Sequence, residues 1–109
     1  MDIERRARIA ALNDQLRRTG KGGRILVTRG ALDRGAQFMK TFVKEMRSFD
    51  RFNTDNDPYE ERDFGAMTVE GERVFWKIDY YDRTMDCGAE DPSDPATVRV
   101  LTMGLASEY

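Results

Sequence analysis

Histidine is absent from this 109-residue sequence, and cysteine occurs once, at Cys87. The first absence excludes a Ser-His-Asp triad, a His-ligated zinc site and the commonest general base near neutral pH. It also excludes a Cys–His nucleophile pair. The single cysteine excludes an intrachain disulfide, a Cys-rich metal site and an iron–sulfur cluster, and it implies a reducing compartment, the cytoplasm. Cys87 itself, beside Gly88, reads as an incidental thiol in a loop. Long apolar runs are missing too, since none approaches the ~20 residues that span a bilayer. The opening Met1-Asp2-Ile3-Glu4-Arg5-Arg6 has charges with no apolar core behind them, so no secretory signal is expected. Any catalysis would rest on carboxylates, Lys, Tyr or an oxygen-ligated ion of the Mg²⁺ type. No cofactor, catalytic residue or metal ligand set is assigned from the sequence.

What is present is charge: 35% of the residues, with a mean hydropathy of -0.69. The apolar residues are nevertheless clustered and periodic, which argues for a folded chain. Residues 1–109 read as one α+β domain with a modest core, as a monomer or homodimer. The formal net charge of -2 hides a polarity. Residues 1–49 carry 12 basic against 5 acidic side chains, a net of +7, and residues 50–109 carry 6 against 15, a net of -9. Such asymmetry points to a nucleic-acid contact or an electrostatically steered partner, or else to neutralisation across one folded surface.

Ile9, Leu12 and Leu16 recur at helical spacing and predict an amphipathic helix over about Asp2 to Thr19, stopped by Gly20. Gly20-Lys21-Gly22-Gly23-Arg24 lacks the residue order of a phosphate-binding loop and precedes a strand, so it reads as a connector. Arg24 to Thr28 predicts a short strand, and Arg29-Gly30 a turn. From about Leu32 to Phe49 a second helix is expected. Phe38, Phe42, Met46 and Phe49 form its core stripe, widened by Met39 and Val43, with Lys40, Lys44 and Arg47 toward solvent. Asp50 to Arg62 is a loop. A hairpin follows, from about Asp63 to Val69 and Arg73 to Tyr81, turning at Glu70-Gly71-Glu72. On its second strand Val74, Trp76, Ile78 and Tyr80 share a core face, and Phe75, Lys77, Asp79 and Tyr81 share the other. After an acidic loop, Asp82 to Ser93, Asp94-Pro95 suggests a helix start with Val98, Leu101 and Leu105 inward. Val98 to Met103 also suits a strand, and the helix is preferred. The expected fold is α+β: a small antiparallel sheet, a hairpin plus one or two short strands, packed against two or three helices.

The densest polar cluster runs through Asn53, Asp55, Asn56, Asp57, Glu60, Glu61 and Asp63, then Asp79 and Asp82. Hairpin pairing would bring Asp63 near Asp79–Asp82, an arrangement suited to a hard cation or to ion pairs with Lys77, Arg62 or Arg83. Asp55-Asn56-Asp57 begins like an EF-hand loop, but the glycine and distal glutamate are misplaced, so turn capping is the better reading. Trp76, Tyr80, Tyr81, Tyr59 and Phe52 concentrate aromatics nearby, a composition typical of protein-binding hot spots.

The runs Asn56-Asp57-Pro58-Tyr59, Glu61-Arg62-Asp63-Phe64-Gly65 and Trp76-Lys77-Ile78-Asp79-Tyr80-Tyr81-Asp82 resemble a family of small bacterial proteins, the domain-of-unknown-function family 3768. Ala11-Leu12-Asn13 with Arg17-Arg18-Thr19-Gly20, Val27-Thr28-Arg29-Gly30 and Arg99-Val100-Leu101-Thr102 fit the same pattern. The chain departs from it at Arg62, where histidine is usual. If that histidine were catalytic, this member would lack the activity. The resemblance implies an alphaproteobacterial setting, often a plasmid or other mobile element, and no established activity.

Three functions are expected from these features. The first is a non-catalytic module that binds a host or defence-system protein, such as an anti-CRISPR or anti-restriction inhibitor. Tyr59, Glu61, Asp63, Lys77, Asp79, Tyr81 and Asp82 would meet that partner. The second is nucleic-acid binding through Arg17, Arg18, Lys21 and Arg24, against which the acidic pI of about 5.2 counts. The third is a metal-dependent hydrolase built on Glu61, Asp63, Lys77 and Asp79.

Overall fold

The computed structural model describes residues 3–109. Helix α1 spans Ile3–Thr19 and buries Ile9, Asn13, Leu16 and Arg17, an i, i+4, i+7, i+8 face that is half polar. The expected start at Asp2 lies outside the described residues. Leu12, expected inward, is only half-buried. The helix stops where expected, the Gly20 N–H closing onto the Leu16 carbonyl at 2.9 Å.

Strand β1 covers Arg24–Val27. The expected turn at Arg29-Gly30 is instead a short helix, α2 (Arg29–Leu32). Thr28, expected in the strand, caps it, its hydroxyl accepting from the Ala31 N–H at 3.3 Å. The second helix therefore begins later than expected, as α3 (Ala36–Arg47). The break falls at Gly35, whose φ of +99° cannot continue a helix. Its stripe is as expected: Phe38, Phe42 and Met46, with Phe49 beyond the helix end, are all buried.

The hairpin is formed by β2 (Phe64–Val69) and β3 (Glu72–Tyr81). Glu70 and Gly71 make its two-residue turn, with φ of +50° and +82°, the left-handed pair that matches strand twist. The C-terminal helix is not formed. Val98–Leu105 is a strand, β4, pairing antiparallel with β3 over eight residues and parallel with β1 over four. The reason is the period. Leu101, Met103 and Leu105 alternate into the core, whereas on a helix Met103 would leave the face of Leu101 and Leu105. Asp94-Pro95 makes a turn instead, the Asp94 carboxylate accepting from the Ala96 N–H at 2.8 Å.

The strand order is β1-β4-β3-β2. The α+β class is as expected, but the sheet is mixed, because β1 joins it parallel to β4. One face carries Val69, Met67, Val74, Trp76, Ile78, Leu101, Met103 and Leu105. They form a single cluster with Leu16, Ala31, Phe38, Phe42, Met46 and Phe49 from the helix side. A 3₁₀ turn, Ala106–Glu108, ends the chain. The Glu108 carboxylate accepts from the Thr28 hydroxyl and from the Gly30 and Leu105 N–H groups, which fixes Tyr109 against the opposite sheet face. Among the described residues, no helix is long and apolar enough to cross a membrane.

Candidate functional site

Lys77, Asp79 and Tyr81 alternate along β3 on the sheet face turned away from the helices. Across from them stand Thr102, Val100 and Val98 on β4, and Phe64 stands across from Lys77 on β2. Lys77 Nζ and Asp79 Oδ2 pair at 3.0 Å, and that bond holds the ammonium pKa above its ordinary value. At one end Tyr109 sets its ring edge-on to Phe75 and Phe64, with centroids 4.9 and 5.6 Å apart. Beside Tyr109, Thr28, Phe75, Lys77, Thr102 and Glu108 line an open recess of about 410 Å³. On β1, Leu26 lies beside Thr102 and is 55% exposed.

The other predicted residues do not join this face. Tyr59 stands on the 50–63 loop and is 68% exposed. Asp82 folds back on its own turn, accepting from the Thr84 hydroxyl and from the Thr84 and Asp86 N–H groups. Those bonds hold its carboxyl below the usual range, the Thr84 hydroxyl contributing most.

Glu61 and Asp63 turn toward the helix side. The Tyr80 hydroxyl donates to Glu61 Oε1 at 3.1 Å and accepts from Asn13 Nδ2 at 2.8 Å. Asn13 Nδ2 also donates to the Glu61 carbonyl, and Asn13 Oδ1 accepts from Arg99 Nε at 2.8 Å. Arg99 reaches the Pro92 carbonyl and lies over the Tyr80 ring at 5.3 Å. Burial raises the Tyr80 pKa and lowers that of Arg99. The Asp63 carboxyl is pushed up to about 6, first by burial and then by the neighbouring charge of Glu61.

The expected convergence of Asp63 with Asp79–Asp82 does not occur as a cluster. The register places Asp63 at Ile78, whose N–H donates to its carbonyl at 2.8 Å. Asp79 is on the opposite face with Lys77, and Asp82 is occupied by its turn. Among the described residues, no three acidic or Cys side chains are grouped to hold a metal ion. An amide and an acid of the loop cap its turns: Asn53 Oδ1 accepts from the Asp55 and Asn56 N–H groups, and buried Asp57 accepts from those of Glu61 and Arg62. Glu60 and Arg62 take φ of +57° and +55° on either side of Glu61, the Glu60 N–H donating to the Asp57 carbonyl and the Arg62 N–H to its carboxylate.

Of the basic set, Arg18, Lys21 and Arg24 are exposed, but Arg17 is fully buried and is not a phosphate contact. Its guanidinium donates to the carbonyls of Met46, Arg47 and Phe49 at 2.9, 3.2 and 2.9 Å, supplying the donors that the end of α3 lacks. It pairs with Asp14 at 2.8 Å and lies 5.2 Å from the Trp76 ring centre. Burial lowers its pKa, Asp14 opposing the shift. Arg62 Nη1 meets the other Asp14 oxygen at 3.2 Å and lies over Phe52. Sequence reasoning missed this network of Asn13, Arg17, Tyr80 and Arg99. The available signal was that Asn13 and Arg17 share the α1 face of Ile9 and Leu16.

A family model described as "Protein of unknown function (DUF3768)" matches residues 27–108. The chain belongs to this family. A search of curated proteins and a search of solved structures return no match. The DUF3768 match takes in β2, β3 and β4 with Lys77, Asp79 and Tyr81, while α1, with Asn13 and Arg17, and Leu26 of β1 precede it.

Proposed function

We propose that this DUF3768 chain is a non-catalytic protein-binding module that docks through the open face of its sheet, with Lys77, Asp79 and Tyr81 at the centre. The observation that carries this reading is the missing second layer. A sheet normally buries each apolar face against another element, yet among the described residues the side away from the helices carries no further helix or sheet layer, and Tyr109 with the 3₁₀ turn covers it at one end, over Phe75 and Phe64. Leu26 is exposed and Tyr81 and the Lys77–Asp79 pair are half-buried, a mix of aromatic, aliphatic and charged groups suited to a protein interface. A non-catalytic role is favoured by the dispersal of the carboxylates, since Glu61 is bonded to Tyr80, Asp79 to Lys77 and Asp82 to its own turn.

The partner we favour is a basic, nucleic-acid-handling protein. Beyond Tyr81 the chain enters a loop with exposed Asp86, Glu90, Asp91 and Asp94, so the docking face continues into an acidic surface that can imitate phosphates. A counter-defence inhibitor, anti-CRISPR or anti-restriction, is one form of that role. The test is a pull-down of the tagged chain from native bacterial lysate, with and without nuclease, alongside Asp79→Ala/Tyr81→Ala. The expected result is one near-stoichiometric protein that survives nuclease, weakens with salt and is lost in the variant. Retention in the variant would remove this interface. Loss of every partner on nuclease treatment would favour nucleic-acid binding through Arg18, Lys21 and Arg24.

A further inference from the structure

On the helix side, away from the proposed sheet interface, lies a shallow groove of about 810 Å³ along the outer flank of α3. Met39 and Val43, half-buried and one helical turn apart, form its floor, and Ala36 extends it. Arg18 from the end of α1, with Lys40, Lys44 and Arg47 from α3, forms the rim. These four cations are exposed, and among the described residues none of them makes an ion pair. From this geometry we infer that the groove is a docking site for an acidic amphipathic helix of a partner protein.

Three observations select that occupant. Along α3 the rim repeats at i, i+4 and i+7 (Lys40, Lys44, Arg47) and the floor at i, i+3 and i+7 (Ala36, Met39, Val43), so the apolar strip is parallel to the helix axis and flanked by charge. A partner helix with apolar residues at the same spacing and Asp or Glu beside them covers both. Nucleic acid would meet the cations but leave Met39 and Val43 uncovered. A second copy offers no such helix. The acids of α1 are Glu4 and Asp14, the latter paired with Arg17 and Arg62, and α3 is itself basic. The acidic stretch from Asp82 to Asp94 is non-helical and tied down by its own turns. Met39 suits the role, being flexible enough to fit more than one apolar anchor.

The probe is a synthetic amphipathic peptide, Leu on one helical face and Glu flanking it, titrated into the 109-residue chain by NMR and fluorescence anisotropy. Controls are the same composition scrambled, the same peptide with Lys for Glu, and single-stranded oligothymidylate. Two variants are compared, Lys40→Glu/Lys44→Glu and Met39→Ala/Val43→Ala, each checked for native circular dichroism. The expected result is salt-sensitive binding that shifts the Met39 and Val43 methyl signals. It weakens about tenfold or more in each variant and with the scrambled peptide. The charge pair lies on the surface, so it decides the matter even if the alanine pair unfolds. Equal binding of acidic and basic peptides, or binding unchanged by charge reversal, overturns the proposal. So does displacement of the peptide by oligothymidylate, or a sedimentation coefficient that falls in the methionine–valine variant, which would make the groove a self-association surface.

Discussion

The indole of Trp76 lies across Gly65, so close that a β-carbon on residue 65 would come within 2.3 Å of Nε1 and 2.6 Å of Cε2. The two are register partners on β3 and β2. The missing side chain lets the only tryptophan lie flat, fully buried, edge-on to Phe49 and Phe52 and beneath Arg17. Gly65→Ala would have to push this ring into a filled core. A loss of about 1–3 kcal/mol is expected, read as a lower urea midpoint at unchanged slope with altered tryptophan fluorescence. A midpoint within error of wild type would show that the ring has room to move.

Arg17 ties α1 to the end of α3 by three carbonyl contacts, to Met46, Arg47 and Phe49. Arg17→Met keeps the stem and removes the guanidinium, leaving those carbonyls without their donor and Asp14 with Arg62 alone. The expected loss is about 3 kcal/mol or more. Arg17→Lys should recover little, because one ammonium cannot reproduce the planar fork. Thermal melts of both variants decide this, and full rescue by lysine would reduce the contact to simple charge.

Asp63 gives a pH dependence with a definite sign. Its folded pKa of about 6 lies above the ordinary 3.8, so the folded state holds the proton more tightly than the unfolded chain. The resulting contribution is complete below pH 3.8 and is lost as pH rises through about 6. Asp63→Asn abolishes this titration. The variant should therefore gain stability relative to wild type between pH 4 and 7, by about 1–3 kcal/mol, with no relative gain at lower pH. Melting curves of both proteins across that range test it, and parallel curves would contradict the raised pKa.

Lys77 and Asp79 form an exposed pair, their side chains 39% and 41% accessible. Such pairs contribute at most about 1 kcal/mol. Lys77→Ala/Asp79→Ala should therefore melt within a few degrees of wild type while losing the partner captured through the sheet face. A large drop in melting temperature would instead assign the pair a structural role.

The elements that were legible from local pattern are those whose local signals agree. In α3, Phe38, Phe42 and Met46 at helical spacing and a following loop of Asn, Asp and Pro leave one reading. In the β2–β3 hairpin, alternation and Glu70-Gly71 do the same. Where local signals conflict, long-range pairing decides. Asp94-Pro95 looked like a helix start and Val98–Leu105 like its body, but that segment pairs along its whole length with β3 and carries β1 on its other side. Long-range hydrogen bonding outweighed a local cap, and β4 became an interior strand of the sheet.

The site was legible in composition and only partly in position. Alternation placed Lys77, Asp79 and Tyr81 together, because a strand determines the faces of its own residues. It could not say which other carboxylates would join them, since that depends on register and on how a loop returns. Asp63 and Glu61 went inside with Tyr80, and Asp82 went to its own turn. Arg17 and Asn13 show the same limit from the other side: a charged and an amide residue on a helix read as solvent-facing until partners elsewhere in the chain satisfy them.

The sequence alone determined the absence of histidine and of a second cysteine, the α+β class, the hairpin and the charge polarity, because each follows from residue types and short-range period. Only the tertiary structure decided which polar groups are internal, which sheet face stays open and where the unpaired cations gather. Those depend on contacts between residues far apart in the chain, from Asn13 with Arg99 to Arg17 with Met46. No local pattern carries the free energy of such pairings.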